Sequence, residues 1–413
     1  MKTEKDLNLQ DFIIFKKYIR RERYYITRKS NIKAKYPNKI NFYLFYIVLF
    51  ILIKKNISVE SYIELKFNKE GSNQFISSYY TAALSYKIYI NNNEISNLQG
   101  KTINVNSIND IIKIKWEQEI TNFSCMFSNL KTITYAKMHY EFASNNAITM
   151  DYMFKDCSNL IYFEYVHNSH YISGISGMFY NCISLISFAF DNFYISSSRN
   201  YIIKYLDMSY MFFNCQSLKN ITYINNKYYY YITNANQMFY NCISLTSVNL
   251  YNFGFNDDDI NLSYMFKNCK QLQTIKMPYI YNYFSISSMY QMFYECESLQ
   301  RIEIKNKDTG SSSVLDMSQL FYNCKKLETV TINFEYLYVS SSKEMFYNCK
   351  LLKSINYNPY RVTSNYIDMA KMFYGCNAIE SITLYIYSND YIDYIIVKNL
   401  IILILLIVIL QII

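Results

Sequence analysis

The sequence predicts an α/β repeat solenoid, a stack of units each made of one short helix and one short parallel strand. Three observations carry this. A Met-Phe dipeptide recurs about every 27 residues. Its apolar neighbours follow a helical spacing. The residues after it then switch to an alternating spacing.

Copies begin at Met126, Met153, Met178, Met211, Met238, Met265, Met292, Leu320 (a conservative replacement), Met345 and Met372, so the chain carries about ten. The unit reads M-F-x-x-C-x-x-L-x-x-I-x-I, as in MFYNCISLTSVNL from Met238 and MFYECESLQRIEI from Met292. Met208, Met211, Phe212 and Cys215 fall at i, i+3, i+4 and i+7. That spacing predicts one face of a helix of about two turns. Leu245, Val248 and Leu250 then alternate, which predicts a strand buried on one side. One such unit has no partner for its apolar face, and stacking supplies it. Segments of variable length, among them Tyr228, Tyr229, Tyr230 and Tyr231, read as return loops.

Residues 57–122 precede the repeats and read as a β-rich N-terminal cap. YIELKF at 62–67 alternates, KIYI at 87–90 does so briefly, and IIKIKWE puts Ile112, Ile114 and Trp116 on one face.

Two apolar runs lie outside this body. Phe42–Ile53 sits within a segment, residues 41–55, that reads as a signal anchor or signal peptide. Residues 1–40 ahead of it hold twelve Lys or Arg against four acids, most of the chain's net +9. That placement fits a cytoplasmic basic leader under the positive-inside rule rather than a phosphate-binding face, so nucleic acid is not an expected partner. The second run, residues 395–413, has two readings: a short span, or the tail of a glycolipid-anchor signal beginning near Ser388-Asn389-Asp390. Together these place the body on the extracellular side of a membrane. A buried core segment in a cytosolic protein is the alternative for the first run.

The repeat unit resembles the BspA-type leucine-rich repeat, the 26-residue surface-protein form, over residues 123–387. The resemblance implies a leucine-rich-repeat-like stack. Members of that family are mostly secreted or surface-attached, and some bacterial relatives are adhesins. The first copy, with Cys125 ahead of Met126 and no inner Cys, departs from the pattern as an atypical end repeat does.

No residue pattern calls for catalysis, a metal or a cofactor. Nine of the ten Cys share one inward position, where they read as buried free thiols rather than disulfides. Asp308-Thr309-Gly310-Ser311 imitates an aspartic-protease loop without the second copy that chemistry needs. His167 and His170 form an isolated H-x-x-H. Sequons at Asn56, Asn122, Asn220 and Asn261 become acceptors only if the body is exported.

The outward strand positions form the candidate binding surface: Ser247 and Asn249, Thr274 and Lys276, Arg301 and Glu303, Thr329 and Thr331. Most are short, uncharged and hydrogen-bonding. They suit a protein or glycan ligand on a cell or matrix surface, and they equally suit a crowded solvent-facing sheet. The function expected is a membrane-attached extracellular protein that binds or adheres. The alternatives are an intracellular scaffold of the same fold and, below it, an enzyme whose loops build a site.

Overall fold

The spacing picks out the residues that turn inward, but the backbone carrying them is not a helix. The computed structural model describes residues 60–397 apart from residues 83, 97–99, 143–145, 168–171, 191–205, 223–229, 251–252, 256–259, 278–279, 282–285, 308–313, 335–337, 359–367 and 389–390. Met208, Met211, Phe212 and Cys215 are fully buried, as are Met289, Met292, Phe293 and Cys296. Yet among the described residues there is no helix at all.

Two left-handed residues in each unit explain the difference. Around Met238-Phe239, Gln237 has φ 55° and Asn241 has φ 58°. The same pair recurs at Tyr210 and Asn214, at Tyr264 and Asn268, and at Gln319 and Asn323. Left-handed backbone four residues apart ends any right-handed helix, and Asn tolerates it better than most residues. The segment folds instead as linked turns: Met238 donates to Ala235 O at 3.2 Å, Tyr240 to Gln237 O at 3.2 Å and Cys242 to Phe239 O at 3.2 Å. The intervening amides point sideways. Gln237 donates to Ser263 O (3.1 Å), Phe239 to Met265 O (2.8 Å) and Asn241 to Lys267 O (2.8 Å), all in the next coil. An isolated helix of this length is marginal in water. Bonding between coils satisfies the same amides and links the units.

A second departure lies ahead of each turn segment. The expected return loops hold short parallel strands: Leu206–Asp207, Tyr230–Asn234, Phe253–Phe255, Ile260–Asn261, Ile286–Ser288, Val314–Asp316 and Tyr338–Ser341 form a seven-stranded sheet. Leu206, Ile232, Ile260, Ile286, Leu315 and Val339 from these strands are buried. The strands after each Leu are also parallel. Arg301–Lys307, Thr329–Phe334, Ser354–Asn358 and Ser381–Ser388 pair in order, with Ile302 opposite Val330 and Val330 opposite Ile355. The expected α/β stack of helix plus strand is therefore replaced by a parallel β-solenoid, in which each coil runs strand, turns, strand.

At the N-terminal end, Tyr86–Ile90, Ile112–Trp116 and Tyr62–Phe67 form an antiparallel sheet. Tyr62–Phe67 also pairs antiparallel with Ile133–Tyr140, which in turn pairs parallel with Tyr162–His167. One six-stranded sheet thus carries the cap into the first coils. Ile63, Leu65, Ile112, Ile114 and Trp116 are buried beneath it. At the other end Ser381–Ser388 turns back into Tyr391–Val397, from Ser388 opposite Tyr391 to Ile382 opposite Val397. Ile395–Val397, the start of the C-terminal apolar segment, are therefore strand residues. Residues 398–413 and the whole of residues 1–59 lie outside the described residues. Among those described, no helix is long and apolar enough to cross a membrane.

The inner face is a column of stacked rings. Phe212, Phe239, Phe266, Phe293 and Phe321 follow one another at centroid distances of 5.4, 5.2, 5.5 and 5.5 Å, their planes nearly parallel. Each ring is fully buried. Phe239→Ala or Phe293→Ala is expected to cost about 3–5 kcal/mol in urea unfolding, whereas Thr329→Ala on the outer face stays within about 0.5 kcal/mol. Equal losses would contradict the inside–outside assignment. The left-handed turn is tested separately: Asn241→Gly should be tolerated and Asn241→Val should destabilise clearly.

Candidate binding surface

The parallel register places the sequence-selected outward residues side by side. Ser247 lies opposite Thr274 and Asn249 opposite Lys276. Arg301 lies opposite Thr329, and Glu303 opposite Thr331. Beyond them Thr329 meets Ser354 and Thr331 meets Asn356. Ser247, Asn249, Thr274, Lys276, Arg301 and Glu303 are exposed, while Thr329 and Thr331 are half-buried. Equivalent residues sit one strand spacing, about 4.8 Å, apart. Rows this tight suit short side chains, and Glu303 pairs with Lys305 at 2.7 Å. The face offers hydroxyl and amide groups in rows. Among the described residues no three His, Cys, Asp or Glu side chains converge in a way that could hold a metal ion.

Other expected positions are placed differently. Tyr230 and Tyr231 open a strand, paired with Phe253 and Gly254, rather than sitting in a loop. Tyr228 and Tyr229 lie outside the described residues, as do His170, the whole of Asp308-Thr309-Gly310-Ser311, and Asn56. His167 ends the strand Tyr162–His167. Asn220 is exposed on the sheet face opposite Ser187. Asn122 and Asn261 close turns: their side-chain oxygens accept the amides of Ser124 (2.9 Å) and Ser263 (2.8 Å).

That last role recurs and was not read from the sequence. Asp207, Asn234, Asp316 and Asp368 accept the amide two residues on at 2.8, 3.0, 2.8 and 2.9 Å. These Asx turns steer each strand into its turn segment. The signal was present, since a short polar residue stands four places before the Met, or Leu320, of each of these units.

A second unread feature is an aromatic edge on the turn side. Tyr180, Phe213 and Tyr240 stack at 4.5 and 4.7 Å. Tyr294, Tyr322, Tyr347 and Tyr374 stack at 4.8, 4.5 and 4.8 Å. Lys267 holds the rung between these runs. Its ammonium stands 5.9 Å from the Tyr240 ring centroid, 5.3 Å from that of Tyr264 and 4.5 Å from that of Tyr294. It also donates to Gln291 Oε1 at 2.5 Å. Burial lowers its pKa from the ordinary lysine value, against the pull of Glu295. The signal here was the residue after each Met-Phe, repeatedly Tyr, Phe or Lys.

The cysteine ladder has a geometric reason. Cys182, Cys215, Cys242, Cys269 and Cys296 donate through Sγ to the carbonyls of Phe154, Phe179, Phe212, Phe239 and Phe266, each at 3.1 Å. Each thiol thereby bonds the coil before it, which valine or alanine at that place would not do. Burial pushes the thiols from Cys157 to Cys349 far up from their ordinary value.

A family model described as "Mycoplasma protein of unknown function, DUF285" matches residues 93–202, 167–277 and 260–384. The chain is also similar to a leucine-rich repeat protein from Bacteroides ovatus whose crystal structure is known. Identity there is 16%, over 64% of this chain and 70% of the other, with a TM-score of 0.31. No curated protein matches.

The raised thiol values set the alkaline behaviour. Unfolded thiols titrate near about pH 8.5. Below that both states are protonated and the ladder's contribution is complete; above it the unfolded chain ionises while the buried thiols do not, so stability falls as pH rises. Melting temperature should drop between about pH 8 and 10, and less steeply in a Cys242→Ala, Cys269→Ala, Cys296→Ala variant. Identical slopes would remove the thiols as the cause. Maleimide should leave the ladder cysteines unmodified in the native protein and label them in denaturant.

Proposed function

This chain belongs to the family described as Mycoplasma protein of unknown function, DUF285, and from that premise we propose that it is a membrane-attached surface protein that binds protein or glycan through its repeats, without catalysis. The observation that carries the reading is the outward face of two parallel strand pairs, Ser247 beside Thr274 and Arg301 beside Thr329, a set of aligned hydrogen-bonding rows. Many weak contacts repeated along the stack favour a long or multivalent partner over a small molecule. The likeness of the M-F-x-x-C-x-x-L-x-x-I unit to BspA-type surface repeats supports adhesion as the purpose of that binding. Attachment is assigned to the apolar segments 41–55 and 395–413, in the latter to the residues beyond the strand that ends at Val397, with the basic leader on the cytoplasmic side and the body outside.

Ser247→Glu combined with Thr274→Glu puts two like charges on neighbouring strands of the face. The pair is expected to weaken attachment of the protein to cells or matrix while moving its melting temperature by no more than a few degrees. Undiminished attachment would remove the sheet face from the binding role. Protease added to intact cells should cut the body. Protection from it would favour the intracellular scaffold instead.

A further inference from the structure

A groove of about 480 Å³ runs along one margin of the solenoid, where five successive turns of the chain contribute side chains. Its lining includes Ile161 and Ile186, 44% and 45% exposed. Thr134, Ser184, Ser217 and Lys219 line it with them.

The same place in the repeat, directly after the strand Leu, is polar in the later coils: Thr246, Gln273, Gln300, Glu328, Lys353 and Glu380. On that later flank the charges neutralise one another, through Lys325 with Glu297 at 3.0 Å, Lys270 with Glu297 at 3.7 Å and Lys353 with Glu328 at 3.9 Å. Two of the earlier coils carry isoleucine there, Ile161 and Ile186, between Lys131 in the first coil and Lys219 in the fourth. Lys219 is exposed, and among the described residues no carboxylate lies within ion-pairing reach of it. Exposed aliphatic side chains and, among the described residues, a cation outside any ion pair thus lie along one groove, which offers apolar contact and a positive charge together.

The groove's backbone is already committed. The amides of Ile161, Ile186 and Lys219 donate to Thr134 O (2.9 Å), Ile161 O (3.2 Å) and Ile186 O (2.9 Å). A guest therefore cannot join as an added strand through these amides, and recognition falls to side chains. Among the described residues no aromatic ring lines the groove, so there a sugar finds no stacking surface, whereas aliphatic side chains find apolar contact and peptide groups find hydroxyls. Four intercoil steps of about 4.8 Å make roughly 19 Å, the reach of about six residues of extended chain.

We propose that this groove docks an extended segment of a partner protein, with aliphatic side chains over Ile161 and Ile186 and a carboxylate at Lys219. The proposal rests on the reading of the repeats as a binding surface and chooses protein over glycan for this part of it. The probe is a fluorescein-labelled hexapeptide alternating Ile and Ser with a terminal Asp, made with the Asp at either end, beside a copy carrying Lys in its place. Fluorescence anisotropy on the full chain should show the Asp peptide binding at least about tenfold tighter than the Lys peptide. Lys219→Glu should reverse that preference, a result that loss of folding cannot produce. Ile161→Ser with Ile186→Ser should weaken binding about tenfold or more at unchanged melting temperature. Equal affinity for the two peptides, binding indifferent to the isoleucines, or displacement of the peptide by a cello-oligosaccharide would each overturn the proposal. Should the peptide fail while the sheet-face variant still impairs attachment, the groove assignment falls and the broader binding reading stands.

Discussion

Everything in this solenoid depends on where the Phe peptide group of each unit bonds. Its amide donates to the next coil, as Phe154 does to Met178 O at 2.9 Å and Phe212 to Met238 O at 2.9 Å. Its carbonyl accepts the amide of the Cys three residues on, and also the thiol of the Cys in the next coil. Both lone pairs of that buried oxygen are thus used, as burial demands. The arrangement fixes the coil spacing at the Phe position, and the ring stack follows from it. The left-handed residues on either side are what turn the amide outward.

Once coils are locked in register, every side chain meets its own equivalent at a distance of about 5 Å. That constraint selects residues that stack or bond with copies of themselves. Rings do so by facing, and asparagines do so by chaining: Asn214 Nδ2 donates to Asn181 Oδ1 at 2.9 Å, and Asn241 Nδ2 to Asn214 Oδ1 at 2.6 Å. Charge cannot repeat in this way without repulsion, so it is interleaved. Lys267 is set among rings, and the flank lysines alternate with Glu297 and Glu328. The rows of Ser, Thr and Asn on the outer face obey the same rule, which is why their composition alone does not distinguish a binding face from an ordinary one. The bare isoleucines at 161 and 186 stand out because stacking does not call for their exposure.

The row of strands that follows each Leu is closed at its two ends by antiparallel pairing. Tyr62–Phe67 covers the first long repeat strand, and Tyr391–Val397 covers the last. A parallel stack leaves an open row of backbone groups at each end, a template for unwanted pairing. Reversing the chain direction there ends the repeat without leaving the last strand unpaired.

Sequence alone determined which residues face inward. Met, Phe, Cys and Leu of the unit are buried in coil after coil, and the alternation of Ile112, Ile114 and Trp116 marks one side of a strand. It determined equally that Ser247, Thr274 and Arg301 share the outer face. Only the tertiary structure decided the backbone that presents them. A helix and a chain of turns place i, i+3, i+4 and i+7 on the same side, so apolar spacing cannot separate them. The distinction lies in whether an amide bonds four residues back or into the next coil, and that partner exists only once the stack is formed. The Asn before six of the nine ladder Cys (Asn181, Asn214, Asn241, Asn268, Asn323 and Asn348) was a local sign of left-handed backbone. Its meaning depended on the neighbouring coil, because only there do the redirected amides find their acceptors. The groove followed the same logic: Ile161, Ile186 and Lys219 are distant in sequence and become one surface through the stacking of coils.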